Sequence, residues 1–180
     1  MNASSNSPFK GLGGSIFLIG FMGSGKTHWG KLWAADSGMS FYDLDNMIEE
    51  AVGKTVAEIF EEYGEDFFRE KEKEMIRTFA EKDNCIVSCG GGTPCLNNNM
   101  QWMNDNGITV YLSATPRYIY DRVAEEKEKR PLLKRINEAE LLFFIEQKLK
   151  QREEFYKQAK IILPVEELTL NSIKNILEHE

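Results

Sequence analysis

Five short, mostly apolar runs alternate with longer segments in which apolar residues recur at helical spacing. The runs lie at 16–19, 40–42, 85–89, 108–112 and 161–163. Strands that are apolar along their whole length are typical of a parallel sheet with helices on both faces, because neither face of such a strand meets water. The alternation therefore predicts an α/β fold built on a parallel sheet.

The segments between these runs carry signals for helix starts and stops. Thr55 and Glu58 have the spacing of a capping box, and Gly53 and Gly64 interrupt the helical pattern on either side. Pro116 suits the first position of a helix, where its missing N–H is not needed. We predict helices at about 26–36, 46–52, 56–63, 68–79, 100–103, 116–123, 137–157 and 170–177.

The first apolar run leads into the sequence Gly-Phe-Met-Gly-Ser-Gly-Lys-Thr at 20–27. A strand, a glycine turn and a helix form the setting of a phosphate-binding P-loop, in which backbone N–H groups and the positive end of the helix face an anion. We expect Lys26 to reach the β- and γ-phosphates and the Thr27 hydroxyl to ligate Mg²⁺. The alternative is a glycine-rich turn with a chance lysine, which the complete pattern disfavours. The chain is predicted to bind a nucleoside triphosphate.

Composition narrows the class of protein. The 180 residues suit one domain, and the formal charge of −7 argues against nucleic acid, whose binding needs a basic surface. No apolar run approaches the roughly 20 residues of a membrane helix, and residues 1–14 lack the apolar centre of a signal peptide. The three cysteines indicate reduced thiols, so we expect a cytoplasmic protein. We predict a loose tail at 1–14 and one domain at 15–180.

Two aspartates follow the second apolar run. At strand spacing, Asp43 and Asp45 project to the same side. Because a cation would relieve their repulsion, we expect Asp43 to hold Mg²⁺ or its waters. Asp45 would orient or deprotonate an attacking hydroxyl. The alternative is a pair of solvated acids, with Asp45 capping the next helix.

The third run ends in three glycines at 90–92. Each glycine costs conformational entropy on folding, so we expect them to allow close approach of backbone N–H groups to a ligand or phosphate. A plain loop that ends the strand is the alternative.

Two arginines lie on helical faces that should point inward. Arg152 continues the stripe of Leu141, Ile145 and Leu149, and Arg69 lies on the face of Ile76. Since a buried charge needs a partner, each arginine is a candidate to grip a substrate carboxylate with two hydrogen bonds. The alternative is an internal ion pair, for example of Arg69 with Glu65 or Glu72.

A charged run at 125–131 has no core-forming residue and by default is a solvated surface. Between two helices of a P-loop protein it suggests a lid, with Arg130 stabilising charge on the phosphates. His28 and His179 fit surface positions better than a metal site, and the Trp29 and Trp33 pair fits the core.

Taken together, the motifs resemble those of the shikimate kinase family. They are the P-loop at 20–27, Phe-Tyr-Asp-Leu-Asp at 41–45, Phe-Arg-Glu at 68–70, the glycines at 90–92, Arg-Pro-Leu-Leu at 130–133, and Arg152 with Tyr156. Their joint order and spacing are specific, and the resemblance covers about 16–177. It implies a three-layer P-loop kinase fold, with a five-stranded parallel sheet flanked by helices and a mobile lid at about 124–136.

The resemblance also implies an activity, which is ATP-dependent phosphorylation of the 3-hydroxyl of shikimate on the route to aromatic amino acids. The residues that it implies for catalysis are Asp45, Lys26 and Arg130, and those for Mg²⁺ are Thr27 and Asp43. Those implied for shikimate are Asp45, Arg69, Gly91 and Arg152. The set expected at ATP is Gly23, Ser24, Gly25, Lys26, Thr27, His28 and Arg130.

The sequence departs from the family pattern in three places. His28 replaces a second hydroxyl residue, Thr93-Pro94-Cys95 replaces a small apolar pair, and the lid run is rich in glutamate with no arginine after the last strand. The last departure leaves the adenine contacts unassigned. Two rivals remain, a kinase of gluconate or nucleoside monophosphates and a non-catalytic nucleotide switch. A GTPase switch would need Asn-Lys-x-Asp, which the sequence lacks. We expect a monomer, because no exposed apolar stripe is left over.

Overall fold

The computed structural model describes residues 14–124 and 137–178. Nearly all of the predicted tail at 1–14 lies outside the described residues. The same holds for the predicted lid beyond Ala124, for its Arg130, and for His179.

The sheet has five strands, and every pair in it is parallel. The strands are β1 Ser15–Ile19, β2 Ser40–Asp43, β3 Cys85–Ser88, β4 Gly107–Ser113 and β5 Ile161–Pro164. They lie in the order β2-β3-β1-β4-β5. The predicted five-stranded parallel sheet is therefore confirmed, and the carboxyl ends of all strands meet at one edge.

Eight α-helices connect and flank the strands in the described part of the chain. They are α1 Lys26–Ser37, α2 Leu44–Val52, α3 Val56–Glu62, α4 Gly64–Arg77, α5 Asn99–Asn106, α6 Pro116–Ala124, α7 Glu138–Tyr156 and α8 Ser172–Glu178. The predicted capping box at the start of α3 is present, with the Thr55 and Glu58 side chains each bonded to the other's backbone N–H. None of the helices described here is both long enough and apolar enough to cross a membrane.

The core lies on both sides of β1, whose five residues are all buried. Phe17, Leu18 and Ile19 have no exposed surface, because β3 and β4 pair with β1 on its two edges and helices cover its two faces. The chain runs from β1 to the β2 edge, returns through β3, and then crosses to β4. In open parallel sheets such a reversal opens a crevice at the carboxyl ends of the central strands.

The structure corrects two details of the sequence analysis. β2 and β5 are the edge strands, and neither contains a buried residue; β5 alternates between half-buried and exposed residues, with Ile162 47% exposed, so the prediction of cover on both faces is wrong at both edges. The second correction concerns Asp45, which lies in the first turn of α2 and not on an extended strand. Asp43 ends β2 and caps α2, since its carboxylate accepts from the N–H of Asn46.

Candidate functional site

The P-loop joins β1 to α1 at the centre of the carboxyl edge. Its glycines Gly20, Gly23 and Gly25 all have positive φ angles, of 143°, 78° and 90°. At Gly20 a side chain is also excluded by space, because a Cβ there would lie 2.8 Å from the Leu112 carbonyl oxygen. The loop therefore delivers the N-terminus of α1 to the crevice, where the partial positive charge of the helix favours an anion.

Lys26 begins α1 and folds back over the loop. Its ammonium group donates to the carbonyl oxygens of Gly20 at 2.8 Å and Phe21 at 2.9 Å, and the residue is 9% exposed. The neighbouring Ser24, which is expected at ATP, has a fully buried hydroxyl with no hydrogen-bond partner among the described residues.

Three oxygen-bearing side chains meet beside the start of α1. The Thr27 hydroxyl donates to the Asp43 carboxylate at 2.8 Å and lies 3.2 Å from the Ser88 hydroxyl. Asp43 and Ser88 are brought together by register, since they are paired at the ends of β2 and β3. Hydroxyl and carboxylate oxygens are hard ligands, which suit Mg²⁺ when phosphates and water complete its octahedron. Sequence reasoning missed Ser88, although a polar residue at the end of an apolar run marks this edge.

Asp45 lines the same crevice as Asp43, and both residues are half-buried. Burial raises the pKa of Asp45 to about 6, with further raising from the charge of Asp43 and then of Glu72, while Lys26 and Arg69 act in the lowering direction. Carboxyl groups with raised pKa values suit proton transfer near neutral pH. The alternative of two solvated acids does not describe Asp45, which lines the crevice and is largely withdrawn from water.

The three glycines after β3 make room for charged side chains. A Cβ at Gly90 would lie 3.1 Å from carboxylate oxygens of both Asp45 and Glu72, and one at Gly92 would lie 2.8 Å from the Arg69 guanidinium. A Cβ at Gly91 would lie 3.2 Å from Nη1 of Arg152. The glycines therefore let the loop backbone lie directly against two acids and two arginines.

Arg69 is held by two glutamates of its own helix. Its Nε and Nη2 donate to Oε1 of Glu65 at 3.2 and 2.9 Å, and its Nη1 donates to Oε2 of Glu72 at 3.0 Å. The internal ion pair that the sequence left open is thus present. It does not exhaust the guanidinium, which carries five N–H donors. The side chain of Arg69 is 15% exposed.

Arg152 reaches the same loop from α7. Its guanidinium carbon lies 5.6 Å from the centre of the Phe21 ring, and Leu141, Ile145 and Leu149 of its stripe are buried as predicted. One turn further, the Tyr156 hydroxyl donates to the Gly91 carbonyl oxygen at 2.6 Å. α7 is therefore anchored to the middle glycine, and Arg152 and Arg69 approach neighbouring glycines of one loop.

The crevice between these elements has a volume of about 390 Å³. Its lining includes the P-loop, Thr27, His28, Asp43, Asp45, Ser88, Gly90, Gly91 and Arg122. Arg152 lies against Gly91 and Arg69 lies against Gly92, outside the lining itself. Arg130 lies outside the described residues. His28 is exposed and its ring meets that of Trp29 edge to face.

Arg122 is a lining residue that sequence reasoning missed. It lies on α6, contacts the Tyr118 hydroxyl, and has Nη1 3.9 Å from where a Cβ of Gly25 would be. Its position near the charged end of α6 does not indicate from the sequence that it lines the crevice, because only the packing of α6 on the P-loop brings it to the lining. A cation at this distance from the loop adds to the attraction for phosphate.

The crevice thus combines a P-loop at a helix N-terminus, a cluster of three oxygen-bearing side chains and a half-buried acid with a raised pKa, and two arginines lie against its glycine loop. The family model for shikimate kinase matches residues 22–179 of this chain. A shikimate kinase of Phocaeicola vulgatus is 46% identical over 153 residues, which are 85% of this chain and 87% of that protein.

Two solved structures extend this similarity. Shikimate kinase of Bacteroides thetaiotaomicron is 42% identical, and the match covers 91% of this chain and 94% of that chain with a TM-score of 0.82. Shikimate kinase of Acinetobacter baumannii, solved in complex with shikimate, is 29% identical, with coverage of 95% and 92% and a TM-score of 0.78.

Proposed function

This chain belongs to the shikimate kinase family, and we propose that it transfers the γ-phosphate of ATP to the 3-hydroxyl of shikimate. The observation that carries this proposal is that Asp45 lines one crevice together with the P-loop and with the glycine loop, against which the two arginines lie. A phosphate donor and an acceptor that bears a carboxylate and hydroxyls would meet across that acid.

We assign the ATP phosphates to the P-loop. Backbone N–H groups from Gly23 to Thr27 and the N-terminus of α1 would bind the anion, and the Lys26 ammonium would reach the β- and γ-phosphates. His28 would lie at the nucleotide, and Arg130 would stabilise charge on the transferring group. Arg122, which lines the crevice, would add positive charge near the same phosphates.

We assign Mg²⁺ to the cluster of Thr27 and Asp43, with Ser88 as an added candidate ligand. The donor chemistry supports this, since all three offer oxygen atoms and the Thr27 hydroxyl contacts both of the others. When bound, Mg²⁺ would neutralise negative charge on the phosphate oxygens. The chain's own part is to hold Asp43 at the strand end and Thr27 at the helix start.

We assign the shikimate hydroxyls to Asp45 and its carboxylate to the arginines. Asp45 would accept a hydrogen bond from the reacting hydroxyl. This bond would orient the hydroxyl oxygen, and the Asp45 carboxylate would receive its proton. Arg69 and Arg152 would bind the carboxylate, and the Gly91 backbone would lie against the ring. A carboxylate ligand also explains why two cations are kept beside one loop.

Purified protein supplied with Mg·ATP and one acceptor at a time tests this function. Shikimate, gluconate and AMP represent the candidate acceptor classes, and ADP release is the readout. We expect shikimate alone to stimulate release and to yield shikimate 3-phosphate. Stimulation by gluconate or AMP instead would overturn the acceptor and leave the nucleotide site intact.

Replacing Arg152 by glutamine is expected to raise KM for shikimate roughly ten- to a hundredfold. The physical reason is the loss of charge-assisted hydrogen bonding worth about 1.5–3 kcal/mol. Arg69→Lys should show the same pattern, and lysine is chosen there so that Glu72 keeps a cationic neighbour. KM for ATP should stay within about twofold in both.

Arg117→Gln is the matched control, because Arg117 is an exposed arginine on α6 paired only locally with Asp121. It should leave both KM values unchanged. Equal losses for shikimate and ATP in the Arg152 variant would count against the carboxylate assignment.

We also propose that the enzyme is a monomer and works in a reducing compartment such as the cytoplasm. The compartment is supported by its three thiols, which are all unpaired. Gel filtration over a range of protein concentrations measures the oligomeric state.

A further inference from the structure

Glu72 is a carboxylate with no exposed surface, and each of its oxygens has its own donor. Arg69 donates to Oε2 at 3.0 Å, and the Thr93 hydroxyl donates to Oε1 at 2.5 Å. Thr93 is also fully buried. A buried carboxylate is costly unless hydrogen bonds replace its water, and here two donors from different elements do so.

The Thr93 hydroxyl decides how this carboxylate is turned. A carboxylate can rotate about its last carbon–carbon bond, and a donor to one oxygen fixes the direction of the other. With Oε1 held by Thr93, Oε2 faces Arg69. The Nη1 side of the Arg69 guanidinium is therefore positioned through a hydroxyl that lies 24 residues further along the chain, while Glu65 holds Nε and Nη2.

Thr93 is itself rigidly placed. Its backbone N–H donates to the Gly90 carbonyl oxygen at 3.1 Å, and its carbonyl oxygen accepts from the buried side chain of Asn99 at 3.0 Å. Asn99 in turn accepts from Arg77 of α4 at 2.8 Å. The glycine loop and α4 are thus tied together at two points, and Thr93 belongs to both ties.

We propose that Thr93 is a positioning residue for the acceptor, which acts through Glu72 to hold the Arg69 guanidinium against the glycine loop. This inference rests on the proposed function, since it concerns the carboxylate that Arg69 would bind. The Thr93 hydroxyl gives Glu72 its second donor beside Arg69.

Replacing Thr93 by valine removes the hydroxyl and keeps the branched shape. Glu72 then loses the donor to Oε1, so one of the two glutamates that hold Arg69 is no longer fixed in its orientation, while the bonds of Arg69 to Glu65 remain. We expect the Kd and KM for shikimate to rise about five- to tenfold, the effect of one lost hydrogen bond. KM for ATP and kcat should stay within about twofold. Thr93→Ala should behave alike and replaces the valine variant if that protein does not fold.

Two control variants separate positioning from a general loss of stability. Thr93→Ser keeps the hydroxyl and should restore shikimate binding. Thr109→Val removes another buried hydroxyl, on β4 and away from the crevice, which donates to Asn104 at 2.5 Å and accepts from the Lys160 N–H at 2.9 Å. It should lower the melting temperature at least as much as Thr93→Val does, with no change in KM for shikimate.

The methyl ester of shikimate supplies the final test, because it lacks the anionic carboxylate. Calorimetric titration gives the Kd of each ligand for Thr93→Val and for the wild-type protein. We expect the ratio of variant Kd to wild-type Kd to be large for shikimate and near one for the ester. An equal ratio for acid and ester, or an unchanged Kd for shikimate in Thr93→Val, overturns the positioning role. Failure of the wild-type protein to use shikimate would instead overturn the proposed function.

Discussion

Asp45→Asn is expected to lower kcat by about a hundredfold or more and, at the same time, to stabilise the ligand-free protein at neutral pH. The catalytic loss follows from the proposed role, since asparagine cannot accept the proton of the reacting hydroxyl, and general bases contribute about 10²–10⁴ in rate. Binding of shikimate should remain measurable, because the amide can still form a hydrogen bond with the hydroxyl.

The gain in stability follows from the pKa of Asp45, which burial and then the charges of Asp43 and Glu72 raise from 3.8 to about 6. A carboxyl that binds its proton more tightly in the folded protein than in the unfolded chain favours folding at low pH. That contribution is lost as pH rises from about 4 to about 6. Above this window the folded protein bears the full cost of the charged form, at most about 3 kcal/mol. Asparagine removes that cost.

Urea unfolding with a chelator present, at pH 5 and at pH 8, measures this effect in the absence of Mg²⁺. The difference in the free energy of unfolding between Asp45→Asn and the wild-type protein should be larger at pH 8. Asp36→Asn, an exposed aspartate on α1, is the control and should show no such change. A wild-type turnover rate would exclude Asp45 as base or orienting group, and a less stable variant at pH 8 would contradict the electrostatic argument.

The sequence predicts those features of the fold and site that local pattern determines. The P-loop is contiguous, so the motif at 20–27 alone indicates a strand, a turn and a helix, and β1 and α1 confirm them. Capping works the same way, because Thr55 and Glu58 form their hydrogen bonds within one turn. Arg152 could be placed because its helix is long and its apolar stripe is regular.

Other features depend on which elements become neighbours, and no local pattern contains that information. Ser88 joins the Thr27 cluster only because β2 and β3 pair in one register. Arg122 lines the crevice only because α6 packs beside the P-loop. Glu72 is a partial exception, since it lies on the buried face of α4 between Phe68 and Ile76. The reasoning that singled out Arg152 would have marked it as a buried charge in need of partners.

The two errors in the predicted elements have different physical origins. β5 is short and apolar in composition, yet its position at the edge leaves Ile162 exposed, because no further strand or helix among the described residues covers it there. The prediction that the strand continues to Asp45 is wrong for a local reason, since the Asp43 side chain caps α2, which begins at Leu44. The first error depends on which elements become neighbours, whereas the second arises within a few residues of one chain segment.

Lys26 has two roles in this structure. Its replacement is therefore, besides Asp45→Asn, the second change for which we expect a very large effect. Its ammonium group holds the carbonyl oxygens of Gly20 and Phe21, and so fixes the curvature of the loop that would bind phosphate. It also places a positive charge where the γ-phosphate would develop negative charge during transfer. A substitution therefore affects both the shape of the anion site and its electrostatics.

Lys26→Met is expected to lower kcat by about a hundred- to a thousandfold, the usual effect of removing one group that stabilises charge in a transition state. It should also weaken ATP binding, whereas calorimetric Kd values for shikimate measured without nucleotide should change little, since the acceptor lies at the glycine loop. Lys31→Met is the control, because Lys31 is exposed on the same helix. It should leave both ligands and kcat unaffected. A loss of less than about tenfold in Lys26→Met would mean that another cation carries the charge stabilisation, and Arg122 on the crevice wall would then be the residue to replace next.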